Sequence, residues 1–415
     1  MFRITKLIVK NYGPFKDSIF DFTENNNTKL AEVQMITGEN GTGKSSILYA
    51  LTLPENQQFA LQRCHDLKEG TSLIEVHYSK GQPTIMTCIK GRIKYNSSNE
   101  YVRKEFLQFR NETYRHNQFE FGMFSYSSYR NIHSARIQGT QELNTSPVEG
   151  AMNFQEEDSR QLLQWVANMK SREANAHYHD QIEKRDQTKA ATERIENAIK
   201  AIIEKPFEFV FNDDPFEVNV KVDDQISSFD VLPDGLKSIL SWIGDMLMRL
   251  DRMPWKNNTQ VGNRNLILFL DEIDVHLHPK WQRQVLYIVQ QLFPNAQIFV
   301  STHSPFVVSS IGDAFIHELK KVNGYSRLFE SELTNLGNSY QRMINEVFSI
   351  DSEFSPFLEK EIEKFYIIKS EILSGDYSKI QKANQLAVKL SKYSEEVHAL
   401  LSFELKQLEK AISNV

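Results

Sequence analysis

Apolar residues stand in short alternating or unbroken runs around residues 2–10, 16–22, 32–37, 72–78, 84–90, 119–126, 207–211, 216–222, 265–270 and 296–301. Each run has strand length and strand periodicity, and each predicts a β-strand. Helical spacing follows the glycine-rich stretch at 38–45, opens again at "DGLKSILSWIGDMLMRL" and covers about 279–293. Residues 156–204 contain no glycine or proline, are heavily charged and carry a helical pattern. They suffice for a short helical hairpin of about 30 Å per 20 residues, which we read as a solvated cap. From about 336 onward, apolar residues again recur three and four apart, as in packed helices. The pattern predicts an α/β fold with an N-terminal antiparallel lobe over 1–155, a helical insertion over 156–204, a second α/β lobe over 205–335 and a helical region over 336–415.

Composition narrows the setting. The 415 residues are 40% apolar, enough for a substantial core, and the formal charge of −6 argues against a general nucleic-acid-binding coat while leaving a local basic groove open. Two cysteines, Cys64 and Cys88, build neither a disulfide framework nor a zinc site by themselves. No apolar run approaches the roughly 20 residues of a membrane span. The expectation is a cytoplasmic protein with no membrane contact of its own.

The chemistry begins at "MITGENGTGKSSILYAL". Gly38, Glu39, Asn40, Gly41, Thr42, Gly43, Lys44 and Ser45 form G-x-x-x-x-G-K-S between a predicted strand and a predicted helix, with Ser46 one position into that helix. Glycines let backbone N–H groups converge on phosphate oxygens, the helix start favours anions, Lys44 reaches the outer phosphates and Ser45 is placed to ligate magnesium. ATP with Mg2+ is therefore the expected ligand pair. That site explains a second stretch, "LILFLDEIDVHLHP", in which a buried run ends in two adjacent carboxylates. Such a pair is costly to bury without a cation or a water to polarise. Asp271 is expected to complete the magnesium shell, and Glu272 to activate the attacking water. In "QIFVSTHSPF" a third buried strand ends near His303, which the order of the motifs sets beside the γ-phosphate.

Taken in order, these motifs resemble the ABC-type ATPases of the SMC and RecF group, and specifically the AAA-family ATPases of bacterial anti-phage systems. "LDEIDVHLHPKWQRQVL" and "FPNAQIFVSTHSP" are similar to the PtuA-type ATPase subunits of Septu systems, which also accompany some retrons, and the opening "ITKLIVKNYGPFKDSIFDF" looks like the first two strands of that head. The likeness spans most of the first 310 residues. It implies two heads that sandwich ATP, with a signature segment contributed in trans by "VLPDGLKSIL": Asp234, Gly235, Lys237 and Ser238, where Lys237 adds a cation at a helix start that wants an anion. Pro233 stands where the family usually carries serine, which implies slow hydrolysis. Asp274 matches the D-loop at the interface. No glutamine fits the Q-loop position, and Arg130 is the candidate nucleotide contact from that segment. His276 and His278 lack further ligands at metal spacing and are expected to pack.

The resemblance implies a homo-oligomeric ATP-dependent sensor that controls a separate effector protein, such as an HNH nuclease, with DNA or retron RNA–DNA as a further partner. The C-terminal region is too short for the TOPRIM nuclease of the OLD relatives, so no intrinsic nuclease is expected. The alternative is a RecF-like ATPase that clamps DNA through Lys6, Lys10 and Lys16. A transporter motor is disfavoured by the style of the "LDEIDVHLHP" and "NYGPF" segments.

Overall fold

The computed structural model describes residues 2–22, 30–54, 57–64, 71–89, 92–97, 102, 118–130, 132–135, 137, 139–152, 154, 159–256, 260–334 and 354–413. The expected boundaries at 155/156 and 335/336 lie outside the described residues. The chain divides into two compact units, Met1–Met343 and Ile344–Val415.

The first unit opens with β1 (Ile4–Tyr12), β2 (Phe15–Asp21) and β3 (Glu32–Gly38), then α1 (Lys44–Leu51), α2 (Gln57–Leu61), β4 (Thr71–Tyr78), β5 (Thr84–Ile89), β6 (Arg92–Ser97) and β7 (Phe121–Tyr126). Two long helices follow, α3 (Ser159–Tyr178) and α4 (Ile182–Ile203), and a small antiparallel sheet of β8 (Phe207–Asp213), β9 (Phe216–Val222) and β10 (Gln225–Ser227). The chain continues through α5 (Asp234–Arg252), β11 (Asn265–Leu270), α6 (Pro279–Leu292), β12 (Ala296–Ser301), α7 (Pro305–Val308), β13 (Phe315–Val322) and β14 (Tyr325–Leu333).

Eleven strands join in one sheet in the order β6-β5-β4-β1-β2-β14-β13-β3-β12-β11-β7. The expected antiparallel lobe is one wing of this sheet, linked to the centre where β14 meets β2 at Ser326 and Phe15. The strands β13, β3, β12, β11 and β7 run parallel, and the residues of β3, β12, β11 and β7 are almost all buried, as strands covered on both faces must be. Phe269 stacks on Phe299 at 5.4 Å between centroids, and Phe22 meets Phe299 edge-on at 4.9 Å. Register fixes the position of the chemistry: Ser301 pairs with Ile36, and Leu270 pairs with both Val300 and Tyr126. The C-terminal ends of β3, β11, β12 and β7 therefore share one sheet edge, where open α/β sheets gather ligands.

Helices α3 and α4 form the expected short hairpin. Its base packs on α5, with Leu162 against Gly244 and the Arg194 guanidinium donating to Asp251 at 2.7 Å. Tyr178, at the other end, is 82% exposed. Lys6 and Lys10 face solvent on β1, each beside a carboxylate of β2, Asp21 at 3.3 Å and Asp17 at 3.5 Å. Lys16 lies over the Tyr325 ring. No described helix is long and apolar enough to cross a membrane.

The opposite sheet edge carries a buried polar network that joins β3, β12 and β13. Arg3 forms an ion pair with Glu32, Gln34 and Gln297 donate to the same carboxylate at 2.7 and 3.0 Å, and His317 Nε2 lies 2.7 Å from Gln34 Oε1. Burial pushes the His317 imidazole down to about 4 from its ordinary 6.5. The folded chain thus keeps this ring neutral at pH values where the unfolded chain protonates it. Stability from this group is complete above pH 6.5 and is lost as the pH falls towards 4, by about 2 kcal/mol between pH 7 and pH 5. Urea unfolding at the two pH values should show His317→Asn with a shallower loss than the parent; equal losses would remove His317 from this role.

In the second unit, α8 (Pro356–Leu373), α9 (Ile380–Leu390) and α10 (Glu395–Ser413) close around Phe365, Ile372, Leu390, Val397 and Leu401, all fully buried. Ser355 caps α8 by accepting from the Leu358 N–H at 3.4 Å. Lys369 of α8 pairs with Glu404 of α10 in a partly buried ion pair.

Candidate functional site

The loop between β3 and α1 is shaped by its glycines and held from outside by the β1–β2 turn. Gly43 has φ 98°, and a Cβ there would lie 2.6 Å from Pro14 Cγ and 2.7 Å from Phe15. Only glycine permits both the left-handed backbone and this close approach. Tyr12 adds a hydrogen bond from its hydroxyl to the Ser46 carbonyl at 3.1 Å. Lys44 is buried and spans the loop, its Nζ donating to the carbonyls of Gly38 and Glu39 at 3.0 Å each. Burial pushes this ammonium down to about 8, against the opposing pull of Glu272, Asp271 and Asp274. A buried cation on a glycine-shaped loop at a helix start suits an anion.

Asp271, 4% exposed, follows the end of β11 directly. Its Oδ1 accepts from the hydroxyls of Ser45 at 3.0 Å and Ser301 at 2.5 Å. The Ser301 oxygen in turn accepts from the Glu272 N–H at 2.8 Å, so one serine of β12 fixes both acidic residues. Glu272 turns the chain at φ 48°, and its carboxylate, one third exposed, stands 4.0 Å from His303 Nε2. Burial, followed by the charges of Asp271 and Asp274, pushes the Glu272 carboxyl above the usual range, while Lys44 and Arg130 oppose. Burial and then Lys44 push His303 down, leaving a neutral imidazole near pH 7. The distant motifs thus meet: Lys44, Ser45, Asp271, Glu272 and His303 surround one space at the sheet edge.

Behind this space the D-loop candidate Asp274 accepts from Thr302 Oγ1 at 2.5 Å. Gln282 of α6 donates to the carbonyls of Asp274 and Leu277 and accepts from Ser304 at 2.6 Å. His276 and His278 are exposed and do not pack as expected; His278 caps α6, its Nδ1 accepting from the Lys280 N–H at 3.2 Å. Among the described residues no group of three or more His, Cys, Asp or Glu is placed to hold a metal.

The signature residues divide between surface and interior. Asp234 faces solvent, but Gly235, Lys237 and Ser238 are covered by their own chain, because α5 is buried along nearly its whole length. Lys237 Nζ donates to the Asp230 carbonyl at 2.8 Å and lies 3.7 Å from Asp234. A Cβ on Gly235 would meet the His276 carbonyl oxygen at 2.6 Å. The side chains of this turn open to solvent are Val231, Pro233 and Asp234. Arg130, expected at the nucleotide, is 3% exposed and its Nη2 donates to the Glu272 carbonyl at 2.7 Å. Ser301 was not singled out from the sequence, although its place at the end of an apolar strand was a signal available to find it.

A parallel α/β sheet with this loop and these carboxylates at one edge defines a P-loop ATPase head. Residues 96–309, just over half of the chain, match the family described as "AAA domain, putative AbiEii toxin, Type IV TA system", and the chain belongs to that family. Residues 2–53 match a second AAA-domain family. The chain is similar to the Septu protein PtuA of Bacillus mycoides (strain KBAB4), 22% identical over 403 residues that cover 94% of this chain and 51% of that one. It is also similar to the retron Vc95 probable ATPase of Vibrio cholerae serotype O1 biovar El Tor, 29% identical over 143 residues, 34% of this chain and 27% of that one. Among solved structures, the SMC head domain from Thermotoga maritima aligns with 80% of this chain and 99% of its own at 15% identity and a TM-score of 0.43. The chain spans about half or less of the length of the curated relatives it matches.

Proposed function

We propose that this chain binds and hydrolyses ATP as the sensor and regulatory subunit of an anti-phage defence complex, and that it controls a separate effector, a nuclease. The observation that carries the reading is the 3.0 Å contact between Ser45 of the phosphate loop and Asp271 at the end of β11, with Glu272 next in sequence. A hydroxyl and a buried carboxylate at that spacing are hard oxygen donors, which suit Mg2+, an ion that keeps phosphate and water in its shell. Ser45 and Asp271 would hold the ion. Bound there, magnesium neutralises charge on the β- and γ-phosphates. Lys44 binds the outer phosphates, Glu272 accepts the proton of the attacking water, and the neutral His303 donates to the γ-phosphate.

The defence setting rests on the similarity to a Septu protein and a retron ATPase. Assembly around ATP rests on the solvent-facing turn at Val231, Pro233 and Asp234 and on the adjoining D-loop. Purifying the chain with the product of its neighbouring gene and assaying DNA and tRNA cleavage across ATP concentrations tests the regulation. We expect cleavage to change at least several-fold with ATP, and effector activity blind to nucleotide would overturn it. Light scattering of Glu272→Gln with and without Mg–ATP tests assembly, with an ATP-dependent doubling of mass as the expected result.

A further inference from the structure

Arg130 lies four residues beyond the end of β7, the edge strand paired with β11. The loop it sits on folds back across the neighbouring strand end, where the Asp271 N–H already donates to the Tyr126 carbonyl at 2.9 Å. A guanidinium stays charged at any physiological pH, and burying one is costly unless the site uses its charge and donors. Here Nη2 donates to the Glu272 main-chain carbonyl at 2.7 Å. Glu272 itself occupies left-handed backbone, which a side-chain-bearing residue keeps only when its surroundings hold it. It is gripped at both ends: Ser301 Oγ takes its N–H at 2.8 Å, and Arg130 takes its C=O. With both peptide groups fixed, the Cα–Cβ direction is fixed, and the carboxylate lies 4.0 Å from His303 Nε2.

We propose that Arg130 is a positioning residue for ATP hydrolysis, which clamps the Glu272 backbone so that the carboxylate meets the attacking water, and which acts on turnover more than on nucleotide affinity. This deepens the ATPase reading and rests on Glu272 as the base. Misplacement of a general base by about 1 Å costs on the order of 10–10²-fold in rate. The test uses the full chain as parent, Arg130→Met, Glu272→Gln and the double variant, with Mg–ATP as the probe for steady-state hydrolysis and for equilibrium binding. Arg130→Met is expected to lower kcat about 10–10²-fold with the ATP Kd changed less than about three-fold, and Arg130→Lys to recover part of the rate. The double variant is expected to be no slower than Glu272→Gln, since a residue acting through Glu272 has nothing left to position. A purely structural role predicts instead that the two losses multiply, or that ATP affinity falls; either result overturns the proposal, as does a kcat within two-fold of the parent. If Arg130→Met does not fold, Arg130→Leu, which likewise offers no donor to the Glu272 carbonyl, takes its place under the same criteria. A parent that turns over no ATP overturns the ATPase reading and this proposal with it, whereas an active parent with an indifferent Arg130 overturns this proposal alone.

Discussion

Glu272→Gln is expected to retain ATP and to hydrolyse it about 10²-fold more slowly or worse. The amide has the same shape as the carboxylate, and the contacts that place residue 272, from Ser301 and Arg130, go to its backbone and survive the change. What disappears is the basicity of the carboxylate beside His303, the group assigned the proton of the attacking water. Single-turnover hydrolysis with pre-bound Mg–ATP isolates that step from binding and release. Equal single-turnover rates in the variant and the parent would remove Glu272 from the role of base and leave His303 to be tested next.

Lys44→Ala is expected to abolish ATP binding at ordinary concentrations. The Lys44 ammonium is buried and donates to the carbonyls of the two residues that open the loop, Gly38 and Glu39. Charge-assisted hydrogen bonds to phosphate are worth roughly 1.5–3 kcal/mol each, so losing two of them weakens binding by about 10²–10⁴-fold. The alanine also frees the Gly38 and Glu39 carbonyls to turn towards the phosphates, which repels what remains. Calorimetric titration of both proteins with Mg–ATP decides the matter; a variant Kd within ten-fold of the parent would deny Lys44 this role.

Ten runs of apolar residues give ten of the observed strands because those strands are either buried on both faces or cleanly two-sided. The four that escaped notice break that rule for physical reasons. In β6, Arg92, Lys94 and Asn96 make an edge strand as polar as a loop, and β10 has three residues. In β13 the buried positions include His317 and Glu318, polar residues made acceptable inside a sheet by Gln34 for the histidine and by an ion pair with Lys320 at 2.8 Å for the glutamate. Its partner β14 meets the rest of the sheet mainly through β13, so neither strand declares itself alone.

The phosphate loop and the two acidic residues were legible because each is a contiguous motif whose chemistry depends on local spacing. The signature turn was legible as a helix start but not as a set of directions, since the inward turn of Lys237 depends on where Asp230 comes to rest. The hold of Arg130 on Glu272 spans 142 positions in sequence and exists only once β7 and β11 lie side by side.

The contact between Gly235 and the His276 carbonyl has a consequence for how the head communicates. With no room for even a methyl group between them, the start of α5 and the turn after β11 lie in direct backbone contact. A side chain added at Gly235 would have to part them, moving the outer rim at Asp234 away from the turn that carries Glu272.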